Sequence, residues 1–376
     1  MNSSCFKTGY PALSMVLTLL PALLMLLATN ASAQRQSVPP GRIVGVKIYE
    51  YKKDFGPLFS QWKNLGVNHA CVSVDLAKNQ EFRRQAQANR ISTWIILPVF
   101  YNPEKLKQNP EFYARTATGE KAEKDWVQFV CPSRTDYRAE RLEFIRNLLR
   151  ECQPDGLSID FIRFFVYWET IYPNSSPDPL ENTCFCVHCL RSFSAYSHLQ
   201  IPEQLGSVRE KAVWITKNRM KEWAEWKCQT ITSMVASIAD EARKVRPGIL
   251  LNIHAVPWRE NDFDQAWKTV AGQDLAAIAP YVDYLSPMCY AHMVRQEPSW
   301  IHSVAVDIYR RSKSPILVSI QVSDEGEDQI PAGLFKHYLE QALAAPSAGV
   351  VFWNWEMLEK HPEKQKIVMT VLKELE

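Results

Sequence analysis

The sequence lacks the short motifs by which several large enzyme classes are recognised. It contains no Gly-x-Gly-x-x-Gly, no Walker A loop, no Gly-x-Ser-x-Gly and no His-Glu-x-x-His. These motifs put backbone amides around a phosphate, expose a serine nucleophile, or set two histidines on one helix face for zinc. Nothing in the chain therefore supports a nucleotide-binding enzyme, a serine hydrolase or a zinc protease, and we predict no organic cofactor.

An excess of charge of either sign is also missing. The chain has 43 Lys and Arg against 41 Asp and Glu, without a run of like charges. Because nucleic acids are bound by basic patches, we predict no nucleic-acid partner. Aromatic residues are plentiful instead, with 12 Trp, 14 Tyr and 16 Phe. Most of them belong in the core, but the supply is sufficient to line a cleft with flat rings, as sugar-binding sites often require.

A Leu-rich apolar run over residues 12–28 indicates a targeting segment. It follows Lys7 and precedes Ala31-Ser32-Ala33, a small-x-small pattern typical of signal cleavage. Pro21 interrupts the run and no charged stop-transfer flank follows, so a cleaved signal is favoured over a retained anchor. We therefore predict a signal peptide at 1–33, a linker at 34–40 and one domain at 41–376. The protein is expected to be exported, periplasmic or secreted, with no membrane contact after cleavage.

From residue 41 onward, apolar β-branched runs alternate with stretches of helical periodicity. The runs predict strands at 42–49, 67–74, 91–99, 156–162, 249–255, 282–288, 315–322 and 348–353. The periodicity predicts helices at 57–65, 79–89, 136–151, 208–245, 264–279, 299–312, 332–345 and 362–375. Eight such units in a chain of this length predict an α/β fold, a (β/α)8 TIM barrel, with a doubly wound α/β sheet as the alternative.

Two predicted connections are long, residues 100–135 after the third strand and 163–207 after the fourth. Long loops on a compact barrel are usually functional, and both of these leave the carboxyl ends of strands. Each carries aromatic residues, namely Tyr101, Trp126 and Phe129 in the first and Tyr167, Trp168 and Tyr172 in the second. By contrast, we expect Trp223 and Trp226, which are three residues apart on a predicted helix, to pack against the barrel.

The fourth predicted strand delivers a charged pair to its carboxyl end. Asp160 is the only acid inside this apolar run, and Arg163 follows it. Strand carboxyl ends form the active-site face of a barrel, and a buried carboxylate without partners is costly. We therefore predict that Asp160 is functional. The structural alternative is an Asp160–Arg163 pair that closes the end of the strand.

Three cysteines lie within six residues in the segment Cys184-Phe185-Cys186-Val187-His188-Cys189. This spacing suits thiolates on a turn that point at one tetrahedral zinc ion, for which a fourth ligand would come from His188, Cys131 or Cys228. Disulfides are the rival interpretation, because exported proteins meet oxidants.

The combination of Cys131-Pro132 with Cys184-x-Cys186-x-x-Cys189 resembles the zinc-containing β-galactosidases of glycoside hydrolase family 42. The resemblance covers about 60 residues. It implies that Cys131, Cys184, Cys186 and Cys189 hold a structural zinc. The mature chain also resembles the glycosyl-hydrolase-like barrels of bacterial exported proteins, through Cys131-Pro132, the segment 155–163 and Met288-Cys289-Tyr290.

These resemblances imply hydrolysis of glycosidic bonds, which usually requires two carboxyl groups. Asp160 is our first candidate, as general acid/base, with Phe161, Phe164 and Phe165 as the apolar surroundings that would keep it protonated. For the second carboxylate we rank Glu356, after the eighth strand, ahead of Asp75 and Glu50. A helix N-cap is the structural alternative for Asp75, and a surface loop charge is the alternative for Glu50.

The chain departs from the family 42 pattern at two strand ends. The fourth strand presents Asp160 where that family has Asn-Glu, and the seventh presents Gln321 where it has a nucleophilic Glu. A neutral amide cannot be a carboxylate nucleophile, so that mechanism does not transfer. Another carboxylate acts, the substrate assists through an N-acetyl group, or hydrolysis has been lost. The Met-x-Tyr that ends at Tyr290 resembles chitinase-like barrels, where the hydroxyl supports such assistance.

Several other side chains near strand ends are candidates for binding sugar hydroxyls. They are Arg163, Glu50, His254, Trp258, Tyr290, His292, Gln321 and Trp353. We therefore predict an exported glycoside hydrolase that acts on a polysaccharide or oligosaccharide. The alternative is a non-catalytic carbohydrate-binding barrel, which Gln321 favours.

Overall fold

The protein is a closed barrel of eight parallel strands, as seen in a computed structural model that describes residues 41–172, 180–324 and 330–375. The strands are β1 (Ile43–Ile48), β2 (His69–Val72), β3 (Ser92–Pro98), β4 (Gly156–Asp160), β5 (Leu250–Ala255), β6 (Tyr284–Cys289), β7 (Ile316–Gln321) and β8 (Ser347–Trp353). Around the barrel the order is β1-β8-β7-β6-β5-β4-β3-β2. The (β/α)8 prediction is confirmed, and closure of the sheet excludes the doubly wound alternative.

The strands are apolar along their length because both of their faces are covered. All six residues of β1 are buried, and so are all five of β4. Parallel strands with helices outside and side chains inside have no solvent face, so their sequences do not alternate. One cluster of buried residues fills the inside of the barrel: Ile43, Cys71, Trp94, Ile96, Tyr284, Leu317 and Val351. The larger cluster lies between the strands and the helices.

Helices follow the strands and cover the outside of the barrel. The described helices are Phe55–Asn64, Val74–Lys78, Gln80–Ala88, Pro103–Gln108, Thr135–Cys152, Val187–Ser197, Val208–Asn218, Met220–Val245, Ala266–Thr269, Leu275–Ile278, Pro298–Ser312, Ala332–Leu343, Trp355–Lys360 and Pro362–Lys373. Single 3-10 turns occur at Pro110–Phe112, Trp168–Thr170 and Ala279–Tyr281. No helix in the described part of the chain is both long and apolar enough to cross a bilayer.

Two predicted helices differ from the structure. The helix expected over 208–245 is interrupted at Arg219, whose φ of −140° and ψ of 29° are not helical. The helix expected over 264–279 is wrong, since only two four-residue helices form there. Gly272 lies between them with φ of +68°, and a Cβ at this position would approach Lys227 within 3.2 Å. The chain therefore turns sharply where periodicity alone predicts a continuous helix.

Both long connections leave the carboxyl ends of strands, as predicted. The one after β3 contains a two-stranded antiparallel ribbon, Glu123–Lys124 paired with Val127–Gln128. The one after β4 contains the turn Trp168–Thr170 and the helix Val187–Ser197. Trp223 and Trp226 are buried with their ring centroids 4.5 Å apart, so their predicted packing role is confirmed.

Candidate active site

A cleft of about 700 Å³ opens at the carboxyl ends of the barrel strands. Its floor and walls include Lys47 from β1, Asp160 from β4, Met288 from β6 and Trp353 from β8. The two long connections add Tyr101, Trp126, Arg163 and four residues from the segment 167–172. This is the face on which barrel enzymes place their chemistry, so the cleft is the candidate active site.

Asp160 ends β4 and lies at the bottom of the cleft. The residue is 7% exposed. Its Oδ1 accepts a hydrogen bond from the backbone N–H of Phe161 at 2.7 Å, and its Oδ2 lies 3.9 Å from Lys47 Nζ. Phe161 has a left-handed backbone with φ of 49°, which is uncommon for an aromatic residue and turns the chain directly after the carboxylate.

The surroundings of Asp160 favour its ionised form. Burial raises the pKa of Asp160, but the nearby charges of His254, Lys47 and Arg163 and the Phe161 N–H outweigh it, so the pKa falls below its ordinary value. His254 is itself neutral at pH 7, because burial lowers its pKa to about 3. The cations that hold Asp160 ionised at neutral pH are therefore Lys47 and Arg163. The expected phenylalanine pocket does not keep this carboxyl protonated.

Lys47 is a site residue that the sequence reasoning missed. It is 1% exposed, points into the barrel from β1, and donates a hydrogen bond to Tyr290 Oη at 3.3 Å. Tyr290 Oη in turn lies 3.4 Å from Ser319 Oγ. The signal was available, because Lys47 is the only charged residue of its apolar strand, as Asp160 is of β4.

Glu169 is a second carboxylate of the cleft, and it was also missed. It lies in the turn Trp168–Thr170 of the long connection after β4. Burial raises the pKa of Glu169 to about 7, against the opposing charge of Arg163, while the charge of Asp160 acts in the same direction as burial. Its Oε2 atom is buried and has no hydrogen-bond partner among the described residues.

Arg163 lies beside both carboxylates but is not bonded to either. Its Nη2 donates to the carbonyl of Val166 at 3.3 Å, and its guanidinium lies about 5 Å from the ring centroids of Phe129 and Phe161. Asp160 and Arg163, both within the described range 41–172, form no direct ion pair. The structural alternative, in which this pair closes the strand end, therefore does not account for Asp160.

Aromatic rings form two walls of the cleft. On the β3–β4 side, Tyr101 stacks on Phe161 with a centroid distance of 4.7 Å and an interplanar angle of 28°. On the side of β6 and β8, Tyr290 stacks on Trp353 at 4.5 Å and 18°. Of the predicted sugar-binding residues, the structure thus brings Arg163, Tyr290 and Trp353 to the cleft.

The three ranked partners of Asp160 lie outside the cleft. The Glu356 Oε1 atom accepts hydrogen bonds from the backbone N–H groups of Tyr49 and Glu50, at 2.8 and 3.1 Å, and so braces the chain after β1. Glu50 points to solvent, where its carboxylate pairs with Lys52 at 3.0 Å. Asp75 is exposed in the first turn of the helix Val74–Lys78, whose N-cap is Ser73 rather than Asp75.

His254 and Trp258 are buried near the cleft rather than in it. The His254 Nε2 atom lies 2.7 Å from Ser158 Oγ inside the barrel. Trp258 is 3% exposed and borders a separate cavity of about 220 Å³ with Trp168 and Trp300. His254 therefore lies in the interior of the barrel and does not line the cleft.

His292 and Gln321 belong to a hydrogen-bonded group at the ends of β6 and β7. Both side chains bond to the carboxylate of Asp324. Gln321 also accepts a hydrogen bond from the backbone N–H of Met293 at 3.2 Å, and it is 1% exposed. Gln321 thus holds the loop after β6, and it does not line the cleft.

The four cysteines named by the family 42 resemblance come together in space. Their Sγ atoms all lie within 4.8 Å of one another, and Cys131 Sγ is 3.3 Å from Cys186 Sγ and 3.4 Å from Cys189 Sγ. Tetrahedral zinc with Zn–S bonds of about 2.3 Å requires sulfurs roughly 3.8 Å apart, so the cluster has the size for such an ion. All four are free thiols rather than disulfides.

Electrostatics of the cluster also favour a cation. Burial raises the pKa of Cys131 and of Cys189, so a positive charge between the sulfurs would be needed to hold these two as thiolates. Of the other proposed ligands, Cys228 lies outside the cluster with its Sγ 3.9 Å from the carbonyl of Lys268, and His188 does not join it either. The cluster joins the two long connections, since the backbone N–H of Arg115 also donates to Cys184 Sγ at 3.1 Å.

Glycoside hydrolases are among the solved structures that resemble this chain. The glycoside hydrolase domain of PgaB (BpsB) from Bordetella bronchiseptica is 12% identical, with a TM-score of 0.66 over 88% of this chain and 98% of that one. The β-galactosidase of the psychrophilic Marinomonas ef1 is 11% identical, with a TM-score of 0.65 over 89% and 59%. Gan42B, a GH42 β-galactosidase from G. stearothermophilus, is 12% identical, with a TM-score of 0.60 over 89% and 57%.

The chain spans about three fifths of the length of these two β-galactosidases. A scan against protein-family models found no match, and a search of curated proteins found none. At sequence identities this low, the structural similarity shows a shared fold only. The expected resemblance to glycosyl-hydrolase-like barrels is thus confirmed: the chain has the barrel fold of glycoside hydrolases.

Proposed function

We propose that the protein is a glycoside hydrolase that cleaves a polysaccharide or oligosaccharide in the cleft around Asp160. The observation that carries the proposal is the pairing of Asp160 with Glu169. One carboxyl is held ionised and the other has a pKa of about 7, in the same aromatic-lined cleft. Carboxyl groups whose surroundings move their pKa values apart are suited to opposite roles in cleaving one bond.

In this mechanism Glu169 is the general acid. A carboxyl with a pKa of about 7 is substantially protonated at neutral pH and can give its proton to the leaving glycosidic oxygen. Asp160 stays ionised and acts on the other side of the bond, as nucleophile, as base toward water, or as the charge that stabilises a positive sugar intermediate. The role proposed for Asp160 thus changes from acid to anion, and Glu169 takes the place of Glu356.

Arg163 and Lys47 set these two states. Burial lowers the pKa of Arg163, and the charges of Glu169 and Asp160 oppose that shift. The guanidinium therefore interacts electrostatically with both acids. Lys47 contacts Asp160 and Tyr290, so it joins the carboxylate to the aromatic wall of β6 and β8. Neither cation reaches Glu169 with a hydrogen bond among the described contacts, and its buried Oε2 atom has no hydrogen-bond partner there.

The binding-only alternative rested on Gln321 at the place of a family 42 nucleophile. Gln321 is buried in contacts with Met293 and Asp324, outside the cleft. Its amide therefore says little about activity, because the two carboxylates of the cleft come from other positions. This favours the enzyme over the binder.

Two further proposals concern the surroundings of the site. We infer that the four-cysteine cluster holds zinc, which would brace the two long connections and take no part in the reaction. We also infer that the protein is exported, on the strength of the apolar run and the Ala31-Ser32-Ala33 pattern, which lie outside the described residues. The mass of protein purified from the envelope or medium should then correspond to a chain beginning at Gln34.

The test is hydrolysis by the full chain of a panel of soluble polysaccharides, followed as reducing ends released. Asp160→Asn should lower the rate at least about a thousandfold, whereas the matched control Asp240→Asn, on an exposed helix surface, should leave it unchanged. Thermal unfolding of both variants shows whether the fold is kept. Full activity in Asp160→Asn, or no hydrolysis of any polymer by the wild type, would contradict the proposal.

A further inference from the structure

The antiparallel ribbon after β3 holds Trp126 at the edge of the cleft. Asp125 forms the turn of the ribbon with φ of +54°, and Trp126 follows it before the return strand begins. Trp126 lines the cleft, yet 46% of its surface is exposed. An indole left in water at the mouth of a cleft has apolar surface that contact with a ligand would cover favourably.

The ring of Trp126 is fixed by three other aromatic residues. Its centroid lies 5.8 Å from that of Tyr101, 6.1 Å from that of Phe161 and 6.0 Å from that of Tyr167, each with the ring planes nearly perpendicular. Asp125 accepts a hydrogen bond from the Tyr167 hydroxyl at 3.3 Å, so the ribbon is tied to the connection after β4. A ring that is already held loses little conformational freedom when a ligand binds.

Aromatic surfaces therefore lie on both sides of Asp160. Phe161, the next residue in the chain, contacts both Tyr101 and Trp126 on one side. On the other side, Lys47 links Asp160 to Tyr290, which stacks on Trp353. A cleft of about 700 Å³ is of the size that holds a ligand larger than one sugar ring.

We propose that Trp126 is the platform of a separate glycosyl subsite, and that the cleft binds a linear polysaccharide across the carboxylates and cleaves it internally. This inference rests on the proposed function. The subsite would take an uncharged pyranose, because Lys124 and Asp125, the two residues that precede Trp126 in the chain, have opposite signs. A sugar ring lying on Trp126 is on the Tyr101 side of Asp160, and the Tyr290–Trp353 stack receives the sugar beyond the scissile bond.

Binding is tested apart from hydrolysis, with the full chain carrying Asp160→Asn as the parent. Native electrophoresis in gels that contain galactan, mixed-linkage β-glucan, xylan or glycol chitin reports affinity as slowed migration. At least one polymer should retard the parent. Adding Trp126→Ala should weaken the dissociation constant for that polymer about three- to tenfold, and Trp126→Phe should restore part of the affinity.

Phe144→Ala is the matched control, because Phe144 is an exposed ring on the helix Thr135–Cys152, away from the cleft. It should migrate as the parent does. Equal retardation of the parent and the Trp126→Ala variant would overturn the subsite, and so would the absence of retardation by all four polymers.

Hydrolysis by the wild type separates the subsite from the proposed function. Internal cleavage predicts that the first products from the retained polymer are oligosaccharides, and a first product that is only monosaccharide contradicts it. If Trp126→Ala weakens binding but the wild type hydrolyses none of the polymers, the proposed function fails while the subsite stands. If hydrolysis proceeds and the Trp126→Ala variant binds normally, the subsite fails while the proposed function stands.

Discussion

Burial acts on both carboxylates of the cleft in the same direction, since removing an anion from water raises its pKa. Asp160 has Lys47 Nζ 3.9 Å from one oxygen and a backbone N–H on the other. Glu169 has Arg163 as an opposing charge, no hydrogen bond to Oε2 among the described atoms, and the anion of Asp160 nearby. The two pKa values therefore differ because the neighbouring charges and hydrogen bonds differ. Burial alone would raise both of them.

The proposed acid role of Glu169 predicts a dependence on the leaving group. Glu169→Gln keeps the shape of the side chain but has no proton to give, so cleavage of natural glycosidic bonds should fall about a hundred- to ten-thousandfold. A substrate that releases a dinitrophenolate needs no protonation, and for such a substrate the loss should be below about tenfold. The measurement is kcat/KM on both substrate types, and equal losses on the two would exclude the acid role.

The fall in rate at high pH, the alkaline limb of the pH–rate profile, should result from deprotonation of Glu169. With a pKa of about 7, Glu169 loses its proton as the pH rises through neutrality, so the wild-type rate should fall above about pH 7. In Glu169→Gln, the residual rate on the dinitrophenyl substrate should show no fall there. A limb that persists in this variant would assign it to another group.

The charge of Lys47 should determine the pH at which activity is lost on the acid side of the pH–rate profile. Burial raises the pKa of Asp160 and Lys47 opposes it, so replacing the ammonium with the neutral side chain of Lys47→Met lets burial prevail. The pH below which activity is lost should move upward by at least about one unit in this variant. A purely structural role for Lys47 would lower the rate without moving the limb, and the pH profile of kcat/KM distinguishes the two.

At the scale of residues, the sequence reveals some of the site. Asp160 could be predicted because one acid in an apolar strand needs a reason to be there, and Lys47 carries the same signal in β1. Glu169 could not, because its environment is made by the way a long connection folds back over the barrel. Glu356 illustrates the converse, since a carboxylate after a strand end can serve backbone N–H groups as readily as a substrate.

At the scale of elements, the cysteine cluster brings the two long connections together. Cys131 ends the first connection, and Cys184, Cys186 and Cys189 lie in the second. Between them these connections carry Trp126, Tyr167 and Glu169. We therefore expect the cluster to affect catalysis only by holding these residues in place.

Replacing one ligand tests this. Cys131→Ser should remove about one equivalent of bound zinc, speed hydrogen exchange in residues 100–135, 163–172 and 180–197, and lower activity, because the connections are no longer tied together. The helix Ala332–Leu343, on the far side of the barrel, should keep its protection. Cys152→Ser, a buried cysteine outside the cluster, is the control and should retain the metal. Metal analysis that finds no zinc in the wild type would contradict the assignment.

The elements themselves show where periodicity suffices. All eight strands were predictable because short apolar runs rich in β-branched residues are typical of buried strands. The interval 264–279 was not, because its apolar residues serve a turn at Gly272 and two short helices rather than one long face. Periodicity reports which residues are buried, and in this interval burial comes from the connection after β4 lying over it, as the hydrogen bond from the Phe164 N–H to the carbonyl of Ala271 at 2.9 Å shows.

At the scale of the whole molecule, the buried Glu169 should make stability depend on pH. Its pKa is raised from an ordinary value near 4.5 to about 7 in the folded state, so the folded protein holds this proton more tightly than the unfolded chain does. The stability that the protonated form contributes is fully present below about pH 4.5 and is lost as the pH rises to about 7. Glu169→Gln does not titrate, so it avoids this loss.

The difference in unfolding free energy between Glu169→Gln and the wild type should therefore rise between about pH 4.5 and pH 7 and then level off. Since one pKa unit corresponds to about 1.4 kcal/mol, the rise should be on the order of 3–4 kcal/mol in favour of the variant. Urea unfolding at several pH values measures it, and taking the difference between two variants cancels the other titrating groups. The exposed Glu203→Gln is the control and should run parallel to the wild type. A difference that does not change with pH would mean that Glu169 titrates alike in both states, and its place as the acid of the cleft would be lost with it.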